Sequence, residues 1–111
     1  MINSLKLVFA LVLLSMLAVT AGASLDRGVF EAAADLWGDP WFRATLADAY
    51  FGFLAVYLWI AYKESSLGRR MLWFVLLMLL GNIAIAIYLL IQLFRLPASA
   101  SMADLLLRNE V

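Results

Sequence analysis

The run Met71–Phe94, MLWFVLLMLLGNIAIAIYLLIQLF, decides how the chain is read. Only Gly81, Asn82, Tyr88 and Gln92 fall outside its strongly apolar set. A single helix of this length would reach roughly 36 Å, enough to cross a bilayer with some tilt. Arg95 and Pro97 close it, because proline cannot continue a helix. Just before it, Lys63–Arg70 (KESSLGRR) is short and hydrophilic. The helix on the far side of that link is therefore expected to be an antiparallel neighbour.

That neighbour opens at Asp39-Pro40, where Asp suits an N-cap and Pro the first helical position. It is predicted to run to about Glu64, with Trp41 and Phe42 in its first turn. Its apolar section, Ala49–Tyr62, follows a lone charge at Asp48. Upstream, Asp26, Arg27, Glu31 and Asp35 interrupt the stretch Ser24–Gly38, while Val29, Phe30, Ala33, Leu36 and Trp37 recur at helical spacing. This predicts a short amphipathic helix, about 25–37, lying in the membrane interface. Leu7–Ala23 is a further apolar run of about minimum spanning length. Lys6 before it and Ala21-Gly22-Ala23 at its end also match a secretory signal, but the run exceeds the ~7–15 residues usual for one, which favours a retained helix. In the tail, Ser101 followed by Asp104 has the form of a cap, ahead of Leu105, Leu106 and Leu107.

Composition agrees. Of 111 residues, 67% are hydrophobic and 14% charged, against about 45–50% and about 25% in ordinary soluble domains. A soluble chain this short could not hide that much apolar surface. The expectation is an all-α, single-domain (1–111) integral membrane bundle. It has three transmembrane helices, at about 5–23, 41–63 and 70–95, and the interfacial helix lies between spans one and two. A C-terminal tail occupies 97–111. Counting Lys63, Arg69 and Arg70 in one loop against Arg27 and Arg43 in the other puts the N-terminus in the cytoplasm and the C-terminus on the opposite side.

The chain has no cysteine and no histidine, which excludes thiol nucleophiles, disulfides, imidazole bases and ordinary zinc sites. Net charge is zero and no basic tract is present, so nucleic acid is not an expected partner. No phosphate loop or nucleophile–base pair is found. No catalytic residue, metal or cofactor is predicted.

Asp48 is the first candidate for a function. An acid within a span is by default a functional-site hypothesis with a partner to be named, and its insertion costs roughly 2.5–3.5 kcal/mol at the centre and less near the edge. By depth its expected partners are Tyr88, Gln92 and Thr20, as a ligand-binding group or as neighbours that fix packing. Asn82, beside Gly81, is expected to bond across to another helix that approaches closely at the glycine. Trp37, Trp41, Tyr62 and Trp73 are expected to anchor the interfaces.

Three blocks, DPWFRATLADAYFGF (39–53), WIAYKESS (59–66) and GNIAIAIYLLIQLF (81–94), together resemble a family of small bacterial membrane proteins, with related domains in plants, catalogued only as a domain of unknown function. The resemblance covers about residues 24–96. It makes Asp39, Pro40, Trp41, Asp48, Tyr62, Lys63, Glu64, Asn82, Tyr88 and Gln92 family-pattern positions and supports a multi-span protein, in a bacterial inner membrane. It supplies no activity.

The leading expectation is a non-enzymatic accessory or assembly component whose partners are the bilayer and either itself or another membrane protein. The alternative is lipid or small-molecule binding, or minimal transport by an oligomer, through the polar group around Asp48. An intramembrane enzyme using Asp48 and a tyrosine as acid and base ranks last.

Overall fold

The computed structural model describes residues 1–108, which are mostly helical and contain no strand. The helices are α1 (Ile2–Asp26), α2 (Val29–Leu36), α3 (Pro40–Lys63), α4 (Leu67–Leu80), α5 (Asn82–Phe94) and α6 (Met102–Leu106). Two of them, α1 and α3, are long and apolar enough to cross a membrane.

Local signals explain most boundaries. The Asp39 carboxylate accepts the Trp41 N–H at 2.9 Å, and Pro40 occupies the first position of α3. α1 is longer than the expected 5–23 and runs through Asp26, so α2 is shorter than 25–37; the break between them is Arg27-Gly28, and the Arg27 guanidinium pairs with Asp35. Ser101 and Asp104 form a reciprocal cap on α6: Oγ accepts the Asp104 N–H at 3.3 Å, and the Asp104 carboxylate accepts the Ser101 N–H at 2.8 Å.

The expected single helix over Met71–Phe94 is instead two helices, α4 and α5, and the chain reverses at Gly81 between them. In a straight helix Trp73 and Tyr88 would be separated by roughly 22 Å. Their ring centroids lie 4.9 Å apart. Leu77 of α4 and Ala84 and Tyr88 of α5 share one buried cluster with Ile60 of α3. The pair is therefore a helical hairpin with a one-residue bend.

Gly81 has φ +57° and ψ −123°, a backbone conformation that glycine adopts readily and other residues do not. A Cβ built there would lie 2.6 Å from Phe53 Cζ, so the ring of α3 occupies the space a side chain needs. The helical ladder resumes with the Ile85 N–H donating to the Gly81 carbonyl at 3.1 Å. The Met78 carbonyl, released by the bend, accepts the Tyr50 hydroxyl at 2.9 Å. The legs, 14 and 13 residues long, measure roughly 20 Å each, short of the ~30 Å hydrocarbon core. The third spanning helix expected at 70–95 is thus replaced by this hairpin.

α5 sits at the centre, with α1 along one side and α3 and α4 on the other, while α1 scarcely meets α3. Ile2 packs against Leu93, so α1 and α5 run antiparallel. Because the hairpin folds back, the start of α1, the 64–66 link, the end of α5 and α6 gather at one end of the molecule, the hairpin end. Leu105 joins Ile2 and Leu93 there. Lys63 Nζ donates to the Leu105 carbonyl, Trp59 Nε1 to that of Leu106 at 2.9 Å, and Arg108 Nε to that of Tyr62 at 2.6 Å. The tail, as far as Arg108, therefore lies beside the start of α1, and the reversal at Gly81 brings it there; the last residues of the expected 97–111 tail lie outside the described residues. Lys6, whose ammonium lies 4.7 Å from the Phe94 ring centroid, belongs to the same end, with Lys63, Arg69, Arg70, Arg95 and Arg108. Only Arg27 and Arg43 among the basic residues lie at the opposite, α2 end.

Candidate functional site

Two polar groupings emerge, and they divide the residues singled out in the sequence. The first is built at the hairpin end. Tyr88, on the inner face of α5, is buried. Trp59 of α3 and Trp73 of α4 meet its ring edge-on, with centroids at 5.5 and 4.9 Å and interplanar angles of 88° and 80°. Such contacts hold a ring in one orientation. The Tyr88 hydroxyl is thereby aimed at the 64–66 link, where it donates to Glu64 Oε1 at 3.3 Å. Glu64 Oε2 lies 3.9 Å from Arg69 Nη1, an ion pair without a hydrogen bond. The backbone of Glu64 is fixed as well, since its carbonyl accepts Arg70 Nε at 2.7 Å. Gln92, one turn past Tyr88, and Arg95 line the same hollow as Glu64 and Arg69.

The second grouping lies midway along α3, beside the bend. Asp48 and Asn82 line a shallow groove of about 330 Å³ with Gly52 and Phe53. Both residues are exposed, and neither side chain has a hydrogen-bond partner among the described residues. Asn82 is the first residue of α5, so the groove opens onto that helix's N-terminus, where a nearby carboxylate is electrostatically favoured.

The structure therefore brings Tyr88 and Gln92 together but separates them from Asp48, because folding back carries the end of α5 to the far end of α3. Thr20 is exposed on the distal half of α1, in a hollow against α2. Asn82 does not bond across to a neighbouring helix; the close approach at Gly81 is made by the Phe53 ring. Trp37 and Trp41 are exposed at the α2 end and Tyr62 at the hairpin end, whereas Trp73 turns inward onto Tyr88.

Sequence reasoning missed Arg95 and Trp59 as site residues, and read Glu64 and Arg69 only as part of the hydrophilic Lys63–Arg70 link. The one signal that could have found them is Gly81-Asn82 itself, a helix-breaking pair in mid-run that would halve the apolar stretch. No cluster of carboxylates among the described residues is placed to hold a metal ion.

The model of the family described as Protein of unknown function (DUF1475) matches residues 2–110. No curated protein and no solved structure matches the chain.

Proposed function

Because the chain belongs to the DUF1475 family, which brings no activity with it, we propose its role from geometry: a small, non-enzymatic integral membrane protein that acts as an accessory or assembly component through helix–helix contact. One observation carries this reading. The hairpin bend reaches only to the level of Phe53, about halfway along α3. Beyond it the short helix α2 lines hollows against both the distal half of α1 and the first half of α3 without covering either. Every residue from Leu17 to Asp26 is exposed, and so is most of α3 from Pro40 to Gly52. These exposed halves are mostly apolar, with Asp26, Arg43 and Asp48 the charged exceptions, and Ala18 and Gly22 place two small residues one turn apart on α1, a pattern that lets another helix approach closely in lipid.

In this reading α1 and α3 span the bilayer, and the α4–α5 hairpin enters from the side that holds both termini. Six of the eight basic residues at that end support its placement in the cytoplasm. A backbone bend at membrane depth is tolerated where protein covers it, and Phe53 and Tyr50 do so here. α2 then lies in the opposite interface.

Two measurements test the proposal. Reporter fusions to the N-terminus and the C-terminus should both read cytoplasmic; a C-terminal fusion on the other side overturns the orientation. Purification in mild detergent should yield a defined complex, with itself or with another membrane protein. Recovery of the monomer alone overturns the assembly role. The rival reading, binding or transport by a joint Asp48–Tyr88–Gln92 group, has no comparable support, because those residues lie at different levels.

A further inference from the structure

At the hairpin end, where α3 stops, the two legs enclose a hollow of about 130 Å³. Tyr88 and Trp73 line it with aromatic surface, Glu64 and Arg69 reach it from the link and the start of α4, and Gln92 and Arg95 from the end of α5. Charges of both signs therefore face one small space. The Glu64 side chain is 12% exposed; Oε1 is engaged by Tyr88, while Oε2, at 3.9 Å from Arg69, is left free to accept.

Gln92 is the independent observation. The residue is only 6% exposed, and its amide makes no hydrogen bond among the described residues. No side-chain polar atom there is both fully enclosed and unpartnered, so the amide must open onto the hollow it lines. The amide thus offers two donors and an acceptor to a group that enters the hollow.

We propose that this hollow binds a small group carrying a protonated amine and a phosphate together, the chemistry of ethanolamine phosphate. The ammonium donates to the free oxygen of Glu64, the phosphate oxygens accept from the Arg69 and Arg95 guanidiniums, and the Gln92 amide bonds between them. A simple anion would meet the Glu64 carboxylate, and a simple cation would meet two guanidiniums; a zwitterion satisfies both. The volume is well below the ~300–1,000 Å³ of a drug-sized ligand site, and suits a headgroup. Leu72 and Ile91 continue the lining with apolar surface, along which the acyl chains of an aminophospholipid would run. The inference needs the hairpin end to sit at headgroup level, as in the orientation above, but no protein partner.

The test uses the full chain, purified in detergent and stripped of lipid. Phosphatidylethanolamine, phosphatidylglycerol and phosphatidylcholine are added in mixed micelles, and ethanolamine phosphate separately. Native mass spectrometry reads bound lipid, and the unfolding midpoint reads stabilisation. The expected result is retention of phosphatidylethanolamine about tenfold over the other two. Choline lacks the N–H donors and glycerol the positive charge. Glu64→Gln, which keeps an acceptor for Tyr88, should abolish the preference; Gln92→Leu should lower retention; Arg27→Ala, at the α2 end, should change neither. Because preference is a ratio, it remains readable in a variant with a lower midpoint. Stabilisation by ethanolamine phosphate alone assigns the site to the free compound, and retention of the lipid alone to the headgroup; both uphold the chemistry. Equal retention of the three lipids without stabilisation by ethanolamine phosphate overturns the proposal, as does an unchanged preference in Glu64→Gln. Failure of complex formation leaves this result standing, so the two proposals fail separately.

Discussion

Replacing Gly81 with alanine should destabilise the protein by about 1–5 kcal/mol, and the estimate can be built from three contributions. A non-glycine residue held at φ +57°, ψ −123° carries strain of about 1–3 kcal/mol. The new Cβ, 2.6 Å from Phe53 Cζ and 2.9 Å from Cε2, forces the ring to move, an overpacking cost of about 1–3 kcal/mol. Against these stands the smaller conformational entropy that alanine loses on folding, about 0.4–1 kcal/mol, while its helix propensity favours the straight helix. Reversible unfolding in mixed micelles measures the net. Geometry is read in parallel. The chain has no cysteine of its own, so spin labels at Leu72 and Ile91 report only the hairpin legs. These residues line one hollow in the wild type, whereas a continuous helix would separate them by roughly 28 Å. Gly81→Ala should both lower stability and populate the long distance. Adding Phe53→Ala should show a favourable coupling of about 1–3 kcal/mol, since it removes the clash but leaves the dihedral strain. A wild-type separation near the extended value, or a Gly81→Ala loss within about 0.5 kcal/mol of zero, would refute the reasoning.

Tyr50→Phe strands the Met78 carbonyl at the bend and should cost about 1–3 kcal/mol, read as a lower unfolding midpoint with faster amide exchange around residues 78–85. At Tyr88, phenylalanine keeps both edge-on aromatic contacts and loses only the bond to Glu64, so the loss should be about 0.5–1.5 kcal/mol. Alanine at the same place empties the crook of the hairpin and should cost about 3–5 kcal/mol; equal losses for the two variants would mean that the packing described around Tyr88 is wrong.

Signals confined to a few neighbouring residues were legible in the sequence. Asp39-Pro40 marks the start of α3 because the cap and the proline act within one turn. Ser101 and Asp104 likewise announce α6, and the spacing of Val29, Phe30, Ala33 and Leu36 announces α2. The reversal at Gly81 was not legible, because it depends on a residue 28 positions away: Phe53 fills the bend, and Tyr50 satisfies the carbonyl it frees. Hydropathy averages across such a bend and sees one long apolar run. Depth assignments made along that imagined helix put Tyr88 and Gln92 beside Asp48; once the run folds in half, they move to Glu64 and Arg95. Of the candidate site, Tyr88 and Gln92 were therefore legible as polar residues in an apolar run, while their joining to Glu64, Arg69 and Arg95 was not.

In the orientation proposed above, the single-residue bend would also set what must be moved through the bilayer when the chain is made. A third span would oblige Arg95, Asp104 and Arg108 to be exported with the tail. With the chain turned back and α1 and α3 as the two spans proposed, only the linker between them, residues 27–39, would have to cross. It carries Arg27 against Glu31, Asp35 and Asp39, a net charge of 1 − 3 = −2. A potential that is negative inside drives such a segment outward, by about 4.6 kcal/mol for two charges at 100 mV. In the proposed orientation the basic side chains at the hairpin end would never enter the hydrocarbon, and the electric field would assist biogenesis instead of opposing it.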